Sequence, residues 1–89
     1  MKAIVTVVGK DRVGIIAEIC MQLASYKVNV LDISQTVMQG YFTMMMVVEV
    51  SQSAVPVAEL AKVLEEKGKD MGLSIRLQRE DIFEAMHRV

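Results

Sequence analysis

The chain is poor in residues that carry special chemistry. Its one cysteine, Cys20, can form no internal disulfide, and no C-x-x-C or other metal-ligand spacing occurs, so the expected setting is a reducing cytoplasm. The one histidine, His87, stands near the C-terminus without an evident serine or cysteine partner, so no catalytic constellation is expected. Two tyrosines, two phenylalanines and no tryptophan leave the core to Val, Ile, Leu and Met. The net charge is −1, and lysine and arginine form no block or stripe, which speaks against a surface that tracks nucleic-acid phosphates. No apolar run approaches the roughly 20 residues needed to cross a bilayer, and Met1 to Val8 is too short for a signal peptide.

What is present is a compact pattern of short elements. The 89 residues, 53% of them apolar, suit one domain over residues 1–89, which buries roughly 60 to 70% of its unfolded surface and gains from a partner that buries more. Lys2 to Val8 alternates with both faces apolar, as in a central strand. From Arg12 to about Tyr26 the period becomes helical, with Ile16, Ile19, Cys20 and Leu23 on one stripe. There Cys20 acts as a small hydrophobe. Val28 to Gln39 alternates poorly, which suits a sheet edge, and Gly40 turns it into a hairpin with Tyr41 to Ser51. In that third strand Phe42, Met44, Met46, Val48 and Val50 form an unbroken apolar face, while Met45 points away. Met44 to Met46 is therefore core packing rather than a soft-metal site, and neither a metal nor a cofactor is expected.

Ser53 is placed to cap a second helix with Pro56 in its first turn, Val57, Leu60, Ala61, Leu64 and Met71 as its stripe, and Gly72 as a left-handed stop. Glu65 and Lys69 are spaced for an i,i+4 pair. Leu73 to Arg79 alternates as a fourth strand, and Asp81 opens a short last helix with Ile82, Phe83 and Met86 as its apolar face. The order predicts an α+β, ferredoxin-like βαββαβ fold: a four-stranded antiparallel sheet with two helices on one face, plus a short C-terminal helix. The opposite sheet face then bares Met45, Val47 and one side of the first strand. Such a patch calls for cover, and a homodimer with the terminal helix contributing is expected.

The stretch V-V-G-K-D-R-V-G-I-I, Val7 to Ile16, is a strand-loop-helix junction that turns at Gly9 and offers Asp11 as a cap. Unpaired N–H groups and the positive end of the helix dipole favour an anionic ligand group there. Gly14, placed in the first helical turn, costs about 1 kcal/mol against alanine. It admits either the close approach of a ligand or backbone, or tight packing of helix on sheet.

With G-K-D-R-V-G-I-I-A-E-I and the later Y-K-V-N-V, the whole chain resembles an ACT domain, the small regulatory module attached to many enzymes of amino-acid metabolism, and in particular its stand-alone members. The resemblance implies the ferredoxin-like fold, dimerisation, and an amino acid or related metabolite bound at the subunit junction. Its ligand-contacting set transfers to Asp11, Arg12, Val13, Gly14 and Ile15 around the loop and to Asn29 and Leu31 on the second strand. A carboxylate would meet the helix start, with Asp11 and Asn29 taking an ammonium or polar group.

Two other functions compete with this one. One is an interaction module without a small ligand, docking a metabolic enzyme or regulator through the bare face and the edge strand. The other is an acylphosphatase-like hydrolase, in which Arg12 would hold phosphate and Asn29 a water.

Overall fold

A computed structural model describes residues 1–10 and 12–81. The element order is β1 (Lys2–Lys10), α1 (Ile15–Ser25), β2 (Asn29–Met38), β3 (Tyr41–Glu49), α2 (Val57–Met71) and β4 (Leu73–Arg79). The strands form one antiparallel sheet in the order β2-β3-β1-β4. This is the expected ferredoxin-like arrangement, with β1 central and β2 at an edge. Residues 82–89, where the last helix was placed, lie outside the described residues, as does Asp11.

Both helices pack on the sheet face carrying Ala3, Val5, Val7, the even positions of β3 and Leu73, Ile75 and Leu77, which together form one apolar core. On α1 the most buried residues are Ile15, Ile19 and Leu23, so Ile15 leads the stripe rather than Ile16. On α2 they are Leu60, Leu64 and Gly68. A helical apolar stripe read by hydrophobicity passes over Gly68, which is buried because α2 and β4 touch there. Glu65 and Lys69 make no ion pair with each other.

Several local expectations change. Gly9 is not a turn: it lies inside β1, paired with Phe42 and Leu73, and an added Cβ would run into the Leu73 side chain. The α2 N-cap is Pro56, and Ser53 instead shapes the preceding turn, its hydroxyl donating to the Val55 carbonyl at 2.8 Å. A bulge between Val30 and Asp32 breaks the alternation of β2, so Val30, Ile33, Gln35 and Val37 share the helix side and Asn29 and Leu31 drop out of that row. Gln39 and Gly40, both with positive φ, form the two-residue hairpin turn to β3.

At the opposite end of the sheet the Met1 ammonium donates to Glu49 Oε1 at 2.6 Å, and Ser51 adds backbone and hydroxyl bonds to the same oxygen. The bond from the N-terminal ammonium, followed by those from Ser51, lowers the Glu49 carboxyl from 4.5 to about 2. The folded value lies below the unfolded one. The contribution is therefore complete above about pH 4.5 and is lost as the pH falls through about 2. Wild type is expected to melt above Glu49→Gln near neutral pH, with the gap closing in acid. A thermal scan across pH in which the gap stays constant would refute this assignment.

Candidate functional site

The cleft that matters begins where β1 hands over to α1. The first intrahelical bond runs from the Glu18 N–H to the Gly14 carbonyl at 3.0 Å. The N–H groups of Ile15, Ile16 and Ala17 thus precede the ladder and have no helical acceptor. Gly14 is the N-cap, with φ 90° and ψ 2°, and no side chain among the described residues caps the helix. Gly14 therefore stands at the cap and not inside the first turn, while Asp11, the expected cap, lies outside the described residues. A Cβ on Gly14 would find no atom of the chain within 4 Å, so helix-on-sheet packing is not the reason for glycine here. The left-handed backbone is, since an L side chain there costs about 1 to 2 kcal/mol.

Beside this helix start lies a cleft of about 570 Å³, bounded by Arg12, Gly14 and the first residues of α1 on one side and by Gln35, Val37 and Phe42 on the other. The Arg12 guanidinium bonds Glu18 Oε2 at 3.0 Å, with both side chains more than two-fifths exposed. Such a pair is weak in water and exchanges readily for another anion. The cleft therefore offers three free N–H groups, one arginine, one amide and an apolar wall. That suits a small molecule with a carboxylate at one end and an uncharged body.

Of the residues expected to form the site, Arg12, Gly14 and Ile15 line this cleft. Val13 is adjacent but 96% exposed and does not line it. Asn29 and Leu31 are not there. Asn29 pairs with Glu49, which pairs with Lys2, whereas the cleft is level with Phe42, the partner of Gly9. Seven residues of strand, roughly 23 Å, separate the two levels. Within one protomer Arg12 and Asn29 consequently cannot share a phosphate and a water, and the acylphosphatase-like pairing is not formed. Gln35, Val37 and Phe42 were missed as site residues. Phe42 and Val37 read as ordinary strand apolars, and only the sheet register brings them under the α1 start. Among the described residues there is no cluster of three or more potential metal ligands and no helix long and apolar enough to cross a membrane.

The sequence and the fold are both similar to those of known proteins. A UPF0237 protein of Clostridium acetobutylicum is 55% identical over 89 residues, covering all of both chains. The structure of an ACT domain protein from Streptococcus pneumoniae is 45% identical, covers 98% of each chain and superposes with a TM-score of 0.82. The ligand-free regulatory subunit of aspartate kinase from Thermus thermophilus shares the fold alone, at 24% identity and a TM-score of 0.66, over 86% of this chain and 50% of that one. A sequence profile of the ACT domain matches residues 2–78, which spans β1 through nearly all of β4 together with the glycine-capped helix start. On that match and these likenesses, the chain belongs to the ACT domain family.

Proposed function

We propose that this chain is a non-enzymatic regulatory domain that homodimerises through β2 and binds an amino acid or related metabolite in the cleft at the start of α1. One observation carries the reading: Arg12, Gly14 and the residues Ile15 to Ala17, whose N–H groups precede the helical ladder, line a space whose far wall is Val37 and Phe42. The regulatory role of the aspartate kinase subunit, a protein of the same fold, supports the assignment of a sensor.

Dimerisation follows from β2. Nine of its ten residues are exposed, including Leu31, Ile33, Val37 and Met38, and among the described residues no strand pairs with its outer edge. A long edge strand with a single charge, Asp32, is poorly protected against pairing. Two copies joined antiparallel through β2 about a two-fold axis would place the partner subunit's Asn29 near the Val37 end of the first copy. That pairing would bring to the cleft the residue which one protomer alone keeps roughly 23 Å away along the sheet. The interaction-module reading draws on the bare sheet face, where Val8 is 44% and Met45 39% exposed, and it requires no occupant of the cleft.

A thermal-shift screen of the common amino acids separates the two. A true ligand at a hundredfold excess over its Kd is expected to stabilise the protein by about 2.7 kcal/mol. The shift should shrink in Arg12→Ala and in Asn29→Ala, the second only if the dimer forms as described. Sedimentation at micromolar concentration should give the dimer. An unmoved melting curve across the full set would remove the sensor, and a monomer in the centrifuge would remove the shared site.

A further inference from the structure

We propose that Glu18 carries occupancy of the cleft at the start of α1 across to α2, exchanging Arg12 for Lys67 when a carboxylate enters. The inference rests on the reading of that cleft as a carboxylate site.

Glu18 stands between two hollows. Its Oε2 accepts from the Arg12 guanidinium at 3.0 Å, and Arg12 lines the cleft. Glu18 itself lines a different space, a groove of about 310 Å³ that it shares with Met21, Gln22 and Ser25 of α1 and with Lys67 of α2. Those four residues of α1 recur at helical spacing and form one face of the helix, and Lys67 is the charge from α2 on the same groove. Lys67 is half-buried and has no ion pair among the described residues, not even with Asp70 one turn along α2.

Two cations thus share one acid. While Glu18 holds Arg12, Lys67 lacks a counter-ion. A carboxylate in the cleft supplies the second anion: it takes Arg12, and the released Glu18 turns into the groove it already lines, toward Lys67. One pair and one lone cation become two pairs. The Arg12–Glu18 pair opens readily because both side chains are more than two-fifths exposed, and an exposed pair changes an equilibrium constant only about 1.4- to 5-fold. The loaded cleft therefore gains an ion pair between α1 and α2 that the empty one lacks. By linkage, Lys67 must strengthen carboxylate binding in a cleft it does not line, and only through Glu18.

The test uses the full chain, with isovalerate as a carboxylate probe whose apolar body matches the Val37 and Phe42 wall, titrated by amide spectra. Lys67→Gln is expected to weaken binding about 1.4- to 5-fold. Adding Glu18→Gln should restore it, since no acid then competes for Arg12, and in the Glu18→Gln background Lys67→Gln should have no effect. An equal loss with and without Glu18 would show a plain field effect of the lysine and overturn the relay, as would no loss at all. A second arm needs no ligand. Arg12→Gln frees Glu18 as a bound carboxylate would, so a double-mutant cycle between Glu18→Gln and Lys67→Gln, followed by urea unfolding, should show about 1.4- to 5-fold coupling in the unfolding constant there and none with Arg12 present. No coupling in the Arg12→Gln background overturns the relay even where isovalerate binds. Coupling there, with isovalerate moving no amide from Gly14 to Ala17, instead overturns the reading of the cleft and leaves the exchange without its trigger.

Discussion

Gly68→Val is expected to cost about 3 kcal/mol of stability, and Gly68→Ala about 1 to 3 kcal/mol, against the direction that helix propensity indicates. In an exposed helix the exchange of glycine for alanine gains about 1 kcal/mol. Here a Cβ would stand 2.7 Å from the Leu73 carbonyl oxygen, 3.0 Å from Ile75 Cγ1 and 3.3 Å from the Ile75 backbone nitrogen. Two of these neighbours are main-chain atoms of β4, and they cannot swing aside as a side-chain tip can. The helix has to lift off the strand, thinning the contacts that bury Leu64, Leu73 and Ile75. Urea unfolding should show a lower midpoint with an unchanged slope. A midpoint that rises in Gly68→Ala would mean that α2 relaxes from β4 freely.

The three consecutive methionines of β3 should behave in two opposite ways. Met44→Ala and Met46→Ala are each expected to lose about 2 to 5 kcal/mol, because both side chains are fully buried among the core residues and their removal leaves cavities. Met45→Ala is expected to lose well under half as much, since Met45 lies on the other face and is 39% exposed. Met46→Leu, which preserves volume, should cost less than about 1.5 kcal/mol. Equilibrium denaturation of the four variants decides it. Equal losses at positions 44, 45 and 46 would show that the bare face is as buried as the core, as it would be beneath a permanent partner.

The contrast among the methionines shows what alternation can reveal. A strand has a side-chain period of two, so an unbroken even row from Phe42 to Val50 marks its inward face without any knowledge of its neighbours. The same reasoning fails on β2, where one extra residue at the bulge moves Asn29 and Leu31 out of the row containing Val37. It also fails at Gly68. A glycine has no hydrophobic signal, and its burial is set by how closely another element approaches.

The site divides along the same line. Arg12, Gly14 and Ile15 were legible because a strand, a short loop and a helix start are local features, and their free N–H groups follow from helix geometry alone. Gln35, Val37 and Phe42 were not, because their place in the cleft depends on which strands pair and in what register. For Gly14 the packing reason does not hold: the chain needs glycine there for a left-handed φ of 90°, and no pattern of neighbouring residues displays a dihedral angle.

The amino-acid order by itself determined the element sequence, the inward rows of β1, β3 and β4, and the glycine-stopped end of α2, because each depends on local periodicity or on one residue's backbone preference. The tertiary structure alone decided that Asn29 and Arg12 stand at opposite ends of the sheet, that α2 touches β4 at Gly68, and that β2 and β4 are the outer strands of the sheet. Those are relations between segments far apart in the chain. They are fixed by strand register and by the distance between packed layers, which no short stretch of sequence encodes.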